Sequence, residues 1–293
     1  MTKTAWVFPG QGSQAVGMGV DLVKEAKAKD KFDKAKEILG WDVWEICQSQ
    51  EDKLSHTLYT QPSLYVVETI LADLIRERGN QPNLVAGHSL GEYVALYVAG
   101  VFDFESGLNL VKRRAQLMDS VAGGMMAALI GFNREQLDAE IEKIDDVVLA
   151  NDNSPAQVVI SGTPTAVEEL LGKVKAKRIV KLNVSGAFHS PFMAPAAAEF
   201  QEILASIPFN DAQIPVLSNV EPLPAQDASI LKNRLQKQMT GNVRWREISL
   251  QLPELGIEKV VEIGPGKVIT GLIKRMCPNL VLENIGSIAE IAD

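Results

Sequence analysis

Ser89 stands in Gly87-His88-Ser89-Leu90-Gly91, between the apolar run 84–86 and a second apolar stretch that begins at Tyr93. A Gly-x-Ser-x-Gly segment that follows a strand and opens a helix makes a sharp turn, with glycines where flanking side chains would collide. The turn projects the serine oxygen at a helix N-terminus, where peptide dipoles favour a developing anion. It also offers the backbone N–H of Leu90 as an oxyanion donor. The pentapeptide fits an acylated nucleophile, and it equally fits a small residue in a tight turn.

A serine hydroxyl needs a base, and the chain has three histidines. His88 adjoins Ser89 and points away from it in a turn of this kind. His56, in KLSHTLYT, has no apolar strand before it and reads as a surface residue. His189, in NVSGAFHSPFM, remains as candidate base by elimination, with a structural histidine as the competing reading. Serine hydrolases of this class add an Asp or Glu between serine and histidine in chain order. Acidic residues are too plentiful here to single one out.

Arg114 sits in a helical pattern over 104–121 whose polar side carries Asn109, Lys112, Arg113 and Gln116. Its own neighbours at three and four positions are Leu110, Val111, Leu117 and Met118, all apolar. A guanidinium on a buried stripe is costly unless paired. The residue is therefore part of an internal ion pair or snorkels, or else it is a fixed cation for an anionic ligand, which it would bind in bidentate fashion.

Two glycine motifs carry less. Gly10-Gln11-Gly12 follows a strand but lacks the second strand and acid of a dinucleotide site, because 30–39 is charged and helical in pattern. The same loop, beside a sheet end, could supply Gln11 as a polar donor to an active site. In Gly264-Pro265-Gly266-Lys267-Val268 the positions that a phosphate loop fills with Gly and Ser/Thr hold Val261 and Val268. A strand-to-helix turn is the better reading.

The elements that must position these residues alternate. Strands are expected at 4–8, 84–87, 215–218 and 259–263, with helices such as 63–78, where Leu64, Val67, Leu71, Leu74 and Ile75 recur at helical spacing. This predicts an α/β fold with a mainly parallel sheet. Between 125 and 186 the order changes to strand 125–130, helix 135–144, strands 147–150 and 157–161, helix 165–174 and strand 178–184. That is the β-α-β-β-α-β order of a ferredoxin-like unit. The expected organisation is a large domain formed by 1–124 and 187–293, with a subdomain inserted at 125–186. The segment 221–225 reads as a surface loop.

The 293 residues are 46% hydrophobic and 23% charged, with a net charge of −8, so overall charge recruits no nucleic acid. Cys47 and Cys277 form neither a metal cluster nor a disulfide framework. No signal peptide and no membrane-length apolar run are read. The expectation is a cytoplasmic protein, monomeric by default, without a membrane or nucleic-acid partner.

Across its length the sequence resembles the malonyl-CoA:acyl carrier protein transacylases. The matching pieces are VFPGQGSQAVGMG, TQPSL, GHSLGEY, NSPAQVVISG, GAFHSPFM and EIGPGKVITGLIKR. The resemblance implies an α/β-hydrolase-like large domain with an inserted ferredoxin-like subdomain. It implies that Ser89 is acylated, that His189 is its base, and that Gln11 completes the oxyanion hole with the N–H of Leu90. Arg114 would grip the free carboxylate of a malonyl group. Gln238, in LQKQMTGNVRW, would hold the histidine through its main-chain carbonyl, and Phe188, just before the histidine, would exclude an α-methyl substituent. Malonyl-CoA and acyl carrier protein are the implied substrates, no cofactor is implied, and fatty-acid elongation is the implied destination. A serine thioesterase or esterase, an acyltransferase of a polyketide pathway and a non-catalytic carrier-binding protein are the rival readings.

Overall fold

In a computed structural model of the chain, residues 2–291 are described; residues 1 and 292–293, at the ends of the expected large domain, lie outside them. The strands among the described residues are β1 (Thr4–Phe8), β2 (Leu84–Gly87), β3 (Met125–Phe132), β4 (Val147–Ser154), β5 (Gln157–Gly162), β6 (Ala176–Lys181), β7 (Val216–Leu217), β8 (Pro224–Ala225), β9 (Lys259–Ile263) and β10 (Val281–Ile285).

β1 is apolar on both faces because both are covered. Trp6 and Phe8 pack into one core cluster, while Ala5 and Val7 pack into another. Around it lies a six-stranded sheet in the order β10-β9-β1-β2-β7-β8, parallel except for the last pair. A second, antiparallel sheet runs β4-β5-β3-β6 and has its own core of Leu129, Leu137, Ile160, Val167 and Leu170. Four strands in that order, with helices Arg134–Ile141 and Pro164–Lys173 after the first and third, give the ferredoxin-like arrangement.

Some expected boundaries move. The helix read as 63–78 runs Thr57–Glu77 and continues through Pro62, because Thr57, Thr60 and Gln61 are buried against the body of the protein. Tertiary packing there outweighs the proline penalty. The segment read as a loop at 221–225 ends in β8, which pairs antiparallel with β7. β10 was not expected: Glu283 and Asn284 interrupt its apolar pattern at the edge of the sheet.

β4 of the antiparallel sheet is stitched to the segment around Val243, which lies outside both sheets. Asp152 N–H donates to the Val243 carbonyl at 2.9 Å, and Val243 N–H donates to the Ala150 carbonyl at 2.8 Å. The Asp152 carboxylate also takes hydrogen bonds from Arg134 and Arg246. Cys47 and Cys277 are free and buried. No helix among the described residues is long and apolar enough to cross a membrane.

Candidate active site

β2 delivers the chain to the turn, and the helix Gly91–Val98 carries it away. The approach is so close that a Cβ at Gly87 would lie 1.9 Å from the Gly91 carbonyl carbon, and one at Gly91 would lie 2.1 Å from the Phe8 carbonyl oxygen. Only glycine fits either position. Ser89 between them has φ 51°, a left-handed conformation that costs a non-glycine residue about 1–3 kcal/mol. Asn219 holds the strained turn from both sides. Its Oδ1 accepts from Ser89 N–H at 2.7 Å, and its Nδ2 donates to the Gly87 carbonyl at 2.6 Å.

His189 is buried and also left-handed, with φ 56°. Its Nε2 lies 2.8 Å from Ser89 Oγ. Its Nδ1 lies 3.0 Å from the Gln238 carbonyl oxygen and 3.1 Å from that of Gly241. Carbonyls only accept, so the proton sits on Nδ1, and Nε2 is left to accept from the serine hydroxyl. The place that a carboxylate fills in other serine triads is taken here by two main-chain oxygens. Burial, and after it the Arg114 cation, holds the imidazole well down, at about 3, so it is neutral at physiological pH.

Arg114 is fully buried, and among the described residues no carboxylate forms a salt bridge with it. Nη1 donates to Gln61 Oε1 at 2.7 Å, while Nη2 donates to Ser89 Oγ at 2.9 Å and to Gln238 Oε1 at 3.2 Å. The guanidinium carbon lies 5.4 Å from the Tyr93 ring centroid, and the Nε–H is buried without an acceptor. Of the sequence readings, the internal ion pair is absent among the described residues. The Gln238 amide links this cation to the turn, since its Nε2 donates to the Ser89 carbonyl at 2.9 Å and to Glu92 Oε2 at 2.7 Å. Burial raises the Glu92 carboxyl, and the bonds from Gln238 and Asn219 counter that rise.

Gln11 reaches the same cavity, but its side-chain Nε2 donates to Thr57 Oγ1 at 3.0 Å. Among the described residues, neither the backbone N–H of Gln11 nor that of Leu90 donates to any chain atom. Phe188 is buried and lines the cavity beside His189. His88 lines it too, with its ring turned to Asn153 Oδ1 at 2.8 Å, while exposed His56 precedes the helix Thr57–Glu77. The cavity holds about 80 Å³ and is shared by the two sheets: Met126, Asn151, Leu182 and Val184 line it together with Ser89 and His189.

Four of the seven candidate residues, Gln11, Ser89, Phe188 and His189, line the cleft, Arg114 and Gln238 bond to Ser89, and Leu90 follows it in the chain. Sequence reasoning assigned no part to Gln61, Glu92 or Asn219. The first two lie inside the quoted TQPSL and GHSLGEY segments, which was the available signal. Gly264-Pro265-Gly266 is a strand-to-helix turn whose helix, Val268–Met276, is capped by Glu262.

Comparison with known proteins places this geometry in context. The acyl transferase domain family model matches residues 5–283. The malonyl CoA-acyl carrier protein transacylase of Synechocystis sp. is 60% identical over 289 residues, 99% of each chain, and its crystal structure superposes with a TM-score of 0.97. The Bacillus subtilis polyketide biosynthesis malonyl CoA-acyl carrier protein transacylase PksC is 42% identical over 92% of this chain and 96% of its own. A malonyl-transacylase solved in complex with a type II PKS acyl-carrier protein matches with a TM-score of 0.93 at 36% identity, covering 99% of this chain and 98% of that one.

Proposed function

This chain belongs to the acyl transferase domain family, and on that premise we propose that it carries a malonyl group from malonyl-CoA to the phosphopantetheine thiol of an acyl carrier protein, for fatty-acid elongation. The observation that carries this reading is Arg114, a buried cation without a carboxylate partner 2.9 Å from the oxygen of Ser89. A hydrolase of neutral esters has no use for such a charge. A malonyl group brings the missing carboxylate.

In this reading Ser89 Oγ attacks the thioester carbon while its proton passes to His189 Nε2. The Nδ1–H, held by the carbonyls of Gln238 and Gly241, keeps the ring in register throughout. The tetrahedral oxyanion is received by the backbone N–H of Leu90 and of Gln11, neither of which donates to another described residue. The Gln11 side chain is committed to Thr57. One such donor is typically worth about 10²–10³ in rate. The sulfur of CoA leaves with the proton from Nε2, and a carrier thiol repeats the sequence in reverse, giving ping-pong kinetics. Both substrates bring their own thiol, so no cofactor is called for.

Phe188 narrows the cleft next to the base and disfavours a branched acyl group, an exclusion usually worth about 1–3 kcal/mol. Residues 125–186 act as the inserted wall of the acyl cleft, through Met126, Asn151, Leu182 and Val184, and residues 1–124 with 187–293 act as the catalytic domain. Two free, buried cysteines fit work in the reducing cytoplasm.

Intact-mass analysis tests the reading. Mixing with malonyl-CoA is expected to add one malonyl group, absent in Ser89→Ala, and phosphopantetheinylated carrier is expected to discharge it onto its own thiol. Release as free malonate would instead indicate a thioesterase, and no adduct would indicate a binding protein.

A further inference from the structure

In the free chain Arg114 is engaged with the nucleophile itself. Nη2 donates to Ser89 Oγ at 2.9 Å, and the same oxygen lies 2.8 Å from His189 Nε2. A serine hydroxyl has one proton and two lone pairs. With Nδ1 of His189 committed to carbonyls, the proton points to Nε2 and one lone pair points to the guanidinium. The oxygens of Gln61 and Gln238 complete a ring of neutral acceptors around a cation that would exchange them for a carboxylate.

We propose that Arg114 is a substrate-operated latch on Ser89: it ties up the nucleophilic oxygen in the free enzyme, and the carboxylate of an incoming malonyl thioester draws it away. The proposal rests on the reading of Arg114 as carboxylate partner given above. It adds that the carboxylate acts on the rate of the chemical step as well as on binding.

Two physical effects support it. A lone pair held by a cation is less available for attack, so releasing it restores the nucleophile. The proton that leaves Oγ for Nε2 would also create an imidazolium beside an uncompensated guanidinium, both of them buried side chains. A carboxylate on Arg114 removes that repulsion, which is the second contribution, after burial, to the depressed basicity of His189. The balance of the step is unchanged. The Oγ–C bond forms, the C–S bond breaks, and the Oγ proton reaches sulfur by way of Nε2. An acyl group without a carboxylate undergoes the same step with the latch closed.

The test compares malonyl-CoA with its neutral amide, carbamoylacetyl-CoA, in single-turnover acylation read by quenched intact mass. The saturating rate constant for the amide is expected to fall on the order of 10²-fold below that for malonyl-CoA, the size of one lost transition-state interaction. In Arg114→Met the amide is expected to acylate about tenfold faster than in the wild type, since the latch is gone. Equal saturating rates for both thioesters in the wild type, with a difference in affinity alone, would overturn the proposal. So would an amide rate in Arg114→Met at or below that of the wild type. The wild-type comparison stands on its own if the variant does not fold. Wild-type enzyme that forms no malonyl adduct at all refutes the function, whereas a normal malonyl rate with no gap refutes only the latch.

Discussion

Glu262 and Arg114 are both sealed from solvent and neither forms a salt bridge among the described residues, yet their surroundings treat them differently. Glu262, at the end of β9, accepts from the N–H groups of Ile269 and Thr270, from the Thr270 hydroxyl and from the Asn284 amide, all within 3.0 Å. The helix N-terminus it faces adds a favourable dipole. Its needs are met by its own chain, and it ties strand, helix and edge strand together. Arg114 receives three neutral oxygens, a ring face and nothing for its Nε–H. A charge whose capacity is filled by the fold belongs to the fold. A charge left short, beside a nucleophile, is held for something that arrives.

Three substitutions probe that contrast. Arg114→Met removes the under-supplied charge, so malonyl transfer is expected to fall on the order of 10⁴-fold. Stability should change little, because losing the cation's desolvation cost offsets the donor lost by the Gln61 and Gln238 oxygens. A melting temperature well below that of the wild type would mean that the fold needs the cation, and the distinction would fail. Glu262→Ala should do the reverse. With three donors orphaned and the Asn284 amide left with Thr270 alone, denaturant titration is expected to show a loss of about 3–5 kcal/mol, while the folded fraction still forms acyl-enzyme at the wild-type rate.

Glu68 sharpens the rule at its limit, since both its oxygens are buried without any hydrogen-bond partner. Burial, and secondarily the negative charge of Glu262, pushes its carboxyl well above the ordinary 4.5, so it is a neutral acid in the fold. The unfolded chain gives up this proton at about 4.5 and the native chain holds it, so wild-type stability declines as pH rises through that window. Glu68→Gln is expected to remove the decline. The two proteins should melt together near pH 4.5 and separate in favour of the glutamine variant as pH increases. Parallel melting curves across the range would show that Glu68 has a partner after all.

What could be read from the sequence was local or was a mismatch. The turn around Ser89 is written in five consecutive residues, and Arg114 betrays itself because its helical neighbours are apolar. His189 emerged because the chain has so few histidines. The groups that orient it stayed hidden for a chemical reason: they are main-chain carbonyls, which every residue possesses. Gln61, Glu92 and Asn219 were hidden for a topological one. Their partners Arg114, Gln238 and Ser89 lie 53, 146 and 130 positions away, and no periodicity reports such contacts. The fold class followed from alternation along the chain, but the edge strands β8 and β10 are too short or too polar to announce themselves.

Ser89 and His189 are separated by 100 positions, and the whole antiparallel sheet, from Met125 to Lys181, lies between them. The carbonyls that orient the base come later still, at 238 and 241. Contacts this distant in the chain close only after the intervening segment has compacted, since loop closure is paid in entropy before it is rewarded. A growing polypeptide therefore carries its reactive serine through most of its synthesis without a base beside it. Acylation is withheld until the chain has emerged past Gly241 and the inserted sheet has folded, so a malonyl adduct on Ser89 reports that the nucleophile, its base and the carbonyls that orient it have come together.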